Sequence, residues 1–134
     1  MLIYDEAFMH GVYEIQTDGN IIVATLHGAF NEFAVEKYAN DLKVIVNLFN
    51  DDNFAMLIDI REYAGATPEA LVIVDDFNKW LSSKGLLAKA YVTKSPVLLD
   101  LILINTPSIS NVLIARFNEI VHAREWLNEI VKSQ

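Results

Sequence analysis

Phe54-Ala-Met-Leu-Ile-Asp-Ile-Arg-Glu-Tyr-Ala-Gly-Ala-Thr-Pro68 is an apolar run without a helical period, followed by a polar turn and a helix start. Such a run is typical of a strand that is buried on both faces of a parallel sheet. Ligands of α/β proteins bind beyond the carboxyl ends of such strands. We therefore predict a central strand over residues 54–60, a loop over 61–67 and a helix N-terminus, placed where a ligand would bind.

Size and composition limit the possible classes of protein. The 134 residues suit a single domain spanning 1–134, and an apolar content of 53% with a mean hydropathy of +0.27 requires a large core or a contact surface. Without cysteine, the chain has neither disulfides nor thiolate metal ligands. A formal net charge of -8 argues against nucleic acid as a partner, because phosphate binding requires clustered Lys and Arg.

The N-terminal residues Met-Leu-Ile-Tyr-Asp-Glu include acidic side chains where a signal peptide carries basic ones. No apolar run reaches the ~20 residues of a membrane span. We therefore expect a cytoplasmic protein without a membrane span.

Turn residues and helical periods divide the chain into alternating strands and helices. Asp18-Gly-Asn20 joins two β-rich runs and predicts an antiparallel hairpin, because Gly accepts the positive φ of a primed turn. The stretch 28–31 is expected to break the second strand. The predicted helix caps are Asn31, Thr67, Ser95 and Asn118. The predicted strands are 12–17, 21–27, 54–60, 86–93 and 112–117, and the helices are 31–49, 68–84, 97–105 and one beginning after residue 118.

The order β-β-α-β-α-β-α-β-α predicts an α/β fold: a single sheet, mostly parallel with an antiparallel N-terminal strand, packed by about four helices. Five motifs accompany it: Leu26-His-Gly-Ala-Phe-Asn-Glu32, Phe54-Ala-Met-Leu-Ile-Asp59, Thr67-Pro-Glu69, Ala88-Lys-Ala-Tyr-Val-Thr-Lys-Ser-Pro96 and Ala123-Arg-Glu-Trp-Leu127. With these motifs the chain resembles the STAS fold of anti-sigma-factor antagonists and sulphate-transporter tails. It is most similar to the small bacterial SpoIIAA-like (STAS/CRAL-TRIO-like) family. The resemblance covers nearly the whole chain.

The resemblance implies the fold without its usual phosphorylation step. Anti-sigma-factor antagonists carry a phosphorylatable serine two residues after an aspartate at the end of the third strand. Asp59 matches that aspartate, but Arg61 stands at the serine position. A guanidinium cannot accept phosphate as a hydroxyl does. Thr67 and Tyr63 are the only hydroxyls in the predicted loop, and a modification of Thr67 stays open.

A small anion is one candidate ligand at the carboxyl end of the sheet, because helix N-termini present free N–H donors there. Arg61 and Lys94 would add positive charge. The alternative is that the polar residues only cap their helices while Arg61 pairs with Glu62 or another neighbour. The candidate residues for a ligand or partner surface are Asn31, Asp59, Arg61, Glu62, Tyr63, Thr67, Lys94 and Ser95.

The segment Val97-Leu-Leu-Asp-Leu-Ile-Leu-Ile104 is apolar on almost every side. A helix that lies on a sheet can bury only one face. The other face would contact a protein partner or a second copy of the chain in a homodimer, unless the monomer buries it completely or an apolar ligand covers it. The candidate contact residues are Val97, Leu98, Leu101, Ile102 and Ile104.

Catalytic and metal-binding patterns are not found in the sequence. The three histidines lack metal-ligand spacing, and Asp75 and Asp76 diverge on their helix. The sequence therefore predicts a non-enzymatic interaction module of STAS type, without cofactor or metal. The alternative is a carrier of a small molecule or lipid, with an apolar cavity under the 68–84 and 97–104 helices. A large cavity would favour the carrier, and a filled core with an apolar outer stripe would favour the interaction module.

Overall fold

The structure, a computed structural model, describes residues 9–50, 52–108 and 112–134. The first six residues, on which the signal-peptide argument rests, lie outside these ranges. The strands are β1 (Val12–Asp18), β2 (Ile21–Phe30), β3 (Phe54–Ala66), β4 (Leu86–Val92) and β5 (Leu113–Phe117). The helices are α1 (Glu32–Leu48), α2 (Pro68–Ser82), α3 (Pro96–Asn105) and α4 (Ile120–Lys132).

The five strands form one sheet in the order β1-β2-β3-β4-β5. β1 pairs antiparallel with β2, and the remaining neighbours pair parallel. Gly19, in the turn between β1 and β2, has a φ of 58°, as the hairpin prediction requires. The predicted α/β fold and its element order are therefore confirmed.

The helices cover the two faces of the sheet unequally. α1, α2 and α3 pack on one face, here called the three-helix face, around a core that includes Leu42, Leu81 and Leu99. α4 alone packs on the opposite face, the α4 face, through Ala123 and Leu127, which are fully buried. Because side chains alternate along a strand, each central strand contributes to both cores.

β2 and β3 run further than expected, and the predicted loop over 61–67 is wrong. The two strands stay paired as far as Phe30 and Ala66, beyond the last pair between β3 and β4. Gly28 (φ 82°) and Gly65 (φ 113°) lie beside a register shift in this extension, here called the β2–β3 ribbon. These glycines permit an irregularity within a continuous ribbon, whereas the stretch that begins at Gly28 was expected to end the second strand.

Three predicted helix caps are confirmed by side-chain hydrogen bonds to the backbone: Asn31, Thr67 and Ser95. The cap at Asn118 is wrong, because α4 begins at Ile120 and its N-cap is Glu119. The Asn118 Oδ1 atom instead accepts a hydrogen bond from Arg116 Nη1 at 2.8 Å. α2 ends at Ser82, two residues before the expected stop.

Candidate functional site

A cleft of about 750 Å³ opens at the carboxyl ends of the strands, and we call it the carboxyl-end cleft. Its walls come from β1, β2 and β3, from the residues that follow β4 and from the start of α3. They carry charges of both signs. The lining residues are Glu14, Thr25, His27, Asp59, Arg61, Glu62, Thr93, Lys94, Ser95 and Leu98.

Asp59 and Arg61 form a bidentate ion pair in this cleft. Arg61 Nε donates to Asp59 Oδ1 at 3.0 Å, and Arg61 Nη2 donates to Oδ2 at 2.7 Å. The backbone N–H of Arg61 also donates to Oδ1 at 3.1 Å. The side chain of Asp59 is 7% exposed and that of Arg61 is 38% exposed, so the pair lies at the edge of the core. The guanidinium is thus engaged by Asp59, rather than by Glu62.

The ion pair controls the ionisation of Asp59. Burial alone would raise the pKa of this carboxyl, but the hydrogen bonds from Arg61 outweigh burial and hold the pKa below its ordinary value. The same contacts raise the pKa of Arg61. Asp59 is therefore a carboxylate, and a negative ligand would compete with it for the guanidinium.

The three confirmed caps use the donors that an anion would need. The backbone N–H groups of Ala34, Ala70 and Leu98 donate to the side chains of Asn31, Thr67 and Ser95 at 3.1 to 3.2 Å. The Thr93 Oγ1 atom also accepts from the N–H of Ser95 at 3.0 Å. Each helix start is therefore partly satisfied within the protein, which weakens the case for an anion site.

The predicted site residues separate into three places. Asp59, Arg61, Glu62, Lys94 and Ser95 line the carboxyl-end cleft. Asn31 and Thr67 line a second groove, of about 530 Å³, at the end of the β2–β3 ribbon. Tyr63 is half-buried and lines an interior cavity. The separation follows from the ribbon, since β2 and β3 continue past β4 and carry their ends away from it.

The α3 helix exposes an apolar stripe, which we call the α3 stripe. Val97, Leu101 and Ile104 are 67%, 53% and 72% exposed. Leu98 and Ile102 are half-buried; Leu98 lines the carboxyl-end cleft and Ile102 lines the interior cavity. Complete burial of this helix in the monomer, one of the three expected alternatives, is therefore wrong.

An interior cavity of about 80 Å³ lies between the sheet and the helices of the three-helix face. Most of its lining is apolar. The polar lining consists of Tyr38, Tyr63, Asn78, Lys89, Tyr91 and Thr106, and the apolar lining includes Met56, Ile58, Phe77 and Ile102. Of these polar residues, only Tyr63 is among the predicted site residues.

Lys89 is the exceptional residue of this cavity. It is 4% exposed, and its Nζ donates to Asn78 Oδ1 at 3.0 Å. Burial lowers the pKa of Lys89 from 10.5 to about 8. The sequence does contain a signal, because Lys89 interrupts the apolar strand Leu-Leu-Ala-Lys-Ala-Tyr-Val, but lysine usually extends its head group to water.

The strand order, the single antiparallel pair and the placement of the helices define an α/β protein with the SpoIIAA-like fold. Among solved structures, the chain is similar to an uncharacterized protein with a SpoIIAA-like fold from Shewanella loihica (15% identity, TM-score 0.69, 92% of this chain and 98% of that chain covered). It is also similar to the anti-sigma factor antagonist SpoIIAA in its unphosphorylated form, with 9% identity and a TM-score of 0.64, and the match covers 89% of this chain and 100% of that chain. A third similar structure is an anti-sigma factor antagonist from Mycobacterium paratuberculosis, with 10% identity and a TM-score of 0.55, and the match covers 94% of this chain and 99% of that chain.

No family profile matches the sequence, and no curated protein matches it. At these identities the structural similarity establishes the fold alone. Within the described ranges, no helix is long and apolar enough to cross a membrane. The same ranges contain no group of three or more metal-ligating side chains.

Proposed function

We propose that this chain is a non-enzymatic interaction module of STAS type that acts in the cytoplasm through surface complementarity. The observation that carries the proposal is the α3 stripe, since Val97, Leu101 and Ile104 expose more than half of their surfaces. Contiguous exposed apolar residues on a soluble domain mark a contact surface. Two of the three similar structures are anti-sigma factor antagonists by name, which favours a binding role on the same fold.

The carboxyl-end cleft is the second proposed contact surface. In place of the phosphoacceptor serine, the chain presents Arg61, held by Asp59 in a bidentate pair. Because Arg61 has no hydroxyl group, phosphorylation at this position cannot change the charge pattern of the cleft. We therefore propose that any regulation of binding acts elsewhere than at this position.

Native mass spectrometry and light scattering on the purified chain test the α3 stripe, with a second copy of the chain as the first partner examined. We expect a dimer that Leu101→Lys converts to a monomer. Val44→Lys is the matched control, because Val44 on α1 is 63% exposed and lies outside the stripe. A wild-type chain that stays monomeric at high concentration, with Leu101→Lys unchanged in every binding assay, would contradict the proposal.

A second candidate function, a small-molecule carrier, is favoured by the interior cavity. The cavity lies under α2 and beside Ile102 of α3 and contains the buried amino group of Lys89. Its volume of about 80 Å³ has room for a short molecule but not for a long acyl chain. The same mass spectrum tests this function, since a carrier purified with its ligand has extra mass that denaturation removes.

A further inference from the structure

Among the described residues that line the interior cavity, Lys89 is the only one with a charged side chain. An ammonium has three N–H donors, and the described residues give an acceptor to one of them, Asn78 Oδ1 at 3.0 Å. No carboxylate of the described residues forms an ion pair with it. A buried charge is normally neutralised by a partner, so Lys89 lacks the counter-charge that its position calls for.

Three tyrosines add unused polar groups to the same cavity. Tyr38, Tyr63 and Tyr91 line it, and their hydroxyls form no hydrogen bond with the described residues of the chain. Tyr91 lies next to Lys89 on the same face of β4, with Lys89 Nζ 6.0 Å from its ring centroid. Tyrosine hydroxyls, one ammonium and apolar side chains therefore line the same cavity.

We propose that the interior cavity binds a short carboxylic acid, whose carboxylate pairs with Lys89 Nζ and whose hydrocarbon part contacts the apolar walls. This inference rests on the small-molecule carrier proposed above and names its ligand class. The carboxylate accepts the N–H donors that the protein leaves unused, and one of the tyrosine hydroxyls donates to its second oxygen.

The dimensions and charge of the cavity favour this class over others. A volume of about 80 Å³ accommodates roughly half a dozen water-sized groups, which matches an acid of four to six carbons. A single ammonium balances one negative charge, so a phosphate dianion would remain partly uncompensated. A neutral ligand would leave Lys89 as it is, and an amine would place two positive charges in the same apolar space.

Calorimetric titration of the full chain at neutral pH with three matched probes tests the proposal. Pentanoate, pentanamide and pentylamine have the same length and differ in the charge of the head group. We expect pentanoate to bind at least about tenfold more tightly than pentanamide, because its carboxylate accepts a charge-assisted hydrogen bond. We expect no binding of pentylamine. This series uses the wild-type chain only, so it decides the question even where a variant folds poorly.

Lys89→Met retains the length of the side chain and removes its charge, and Lys132→Met is the matched control on the exposed end of α4. We expect Lys89→Met to lose the preference for pentanoate while the control retains it. Equal binding of pentanoate and pentanamide overturns the inference but keeps the carrier. If none of the three probes binds at millimolar concentration, both the inference and the carrier fail, while the α3 stripe keeps its own test.

Discussion

The strand β4 has two faces with different chemistry, although both are buried. Ala88, Ala90 and Val92 lie toward the α4 face and are fully buried in an apolar cluster. Lys89 and Tyr91, at the alternating positions, are 4% and 5% exposed and line the interior cavity on the three-helix face. Between residues 88 and 92 this strand thus contributes small apolar side chains to one core and two polar side chains to the other.

The difference shows which core is arranged for packing alone. On the α4 face, alanines on β4 leave room for Ala123 and Leu127 to lie close to the sheet without a polar group between them. On the three-helix face, a cavity and an unpaired ammonium remain, and both reduce stability. We infer that the α4 face serves packing alone, whereas the three-helix face combines a packed apolar core with the cavity.

The largest expected effect tests the packing role of the α4 face. Leu127→Ala removes a fully buried side chain from the apolar cluster, and we expect a loss of about 3 kcal/mol in the free energy of unfolding. Urea unfolding monitored by circular dichroism measures it. Val121→Ala on the same helix, where Val121 is 56% exposed, should change the stability by less than about 0.5 kcal/mol. Similar losses for both variants would mean that α4 is not seated by its apolar face.

The opposite sign is expected on the three-helix face. The fall in the pKa of Lys89 from 10.5 to about 8 means that its charge costs the folded state roughly 3 kcal/mol at neutral pH. Lys89→Met removes this cost, but it also removes the hydrogen bond to Asn78, and that loss destabilises the variant by about 1 kcal/mol. We therefore expect the variant to be more stable by about 1 to 2 kcal/mol in urea unfolding at pH 7. A destabilised variant would make Lys89 a structural residue.

The pH dependence of this gain has a definite sign. Between pH 8 and 10.5 the unfolded chain retains a proton on Lys89 that the folded chain has released, so the stability of the wild type rises with pH. The advantage of Lys89→Met should therefore shrink across this window. Tyr38, Tyr63 and Tyr91 face the same cavity with raised pKa values, but they are common to both proteins and cancel in the difference. An advantage that is constant from pH 7 to 10 would contradict the assignment.

The fold was predictable because its signals are local. Each element is indicated by a short stretch of sequence: the apolar run at 54–60, the Asp-Gly turn, and the helix starts at Thr67 and Ser95 with a proline after the cap. The order of these elements then indicates the topology. The β2–β3 ribbon was not predictable, because a glycine in the sequence looks the same whether it ends a strand or lies at a β-bulge within one. Pairing with a neighbouring strand decides between them, and that is a long-range property.

The candidate site was predictable only in part, for two physical reasons. Asp59 and Arg61 were expected at the carboxyl end, but their bidentate pair depends on β3 continuing past residue 60, which places the two side chains at alternating positions of one strand. Lys89 was missed because a lysine in a strand has a long side chain that commonly reaches water. Its burial results from the cover that α1, α2 and α3 give together, and no single segment contains that information.

A fourth prediction compares a paired buried charge with Lys89, which has no counter-charge among the described residues. Asp59→Asn weakens the bidentate pair with Arg61, and we expect a loss of about 1 kcal/mol, limited by the exposure of the guanidinium. Because the pKa of Asp59 is lowered, its contribution to stability is present above pH 3.8 and is lost as the pH falls further. Unfolding at pH 7 and pH 3 should therefore show the variant and the wild type converging in acid. A constant difference would mean that Asp59 acts through packing.

The smallest effect concerns the surface pair that also joins α4 to the sheet. Arg124 Nη1 lies 3.0 Å from Asp18 Oδ2, and the two side chains are 36% and 70% exposed. A double-mutant cycle with Asp18→Ala and Arg124→Ala should give a coupling energy of about 0.5 kcal/mol or less, falling with added salt. A coupling energy this small, compared with the larger loss expected for Leu127→Ala, would show that apolar contacts rather than this ion pair hold α4 on the sheet. A coupling as large as the Leu127 effect would contradict that assignment, because charges at the rim would then hold the helix in place.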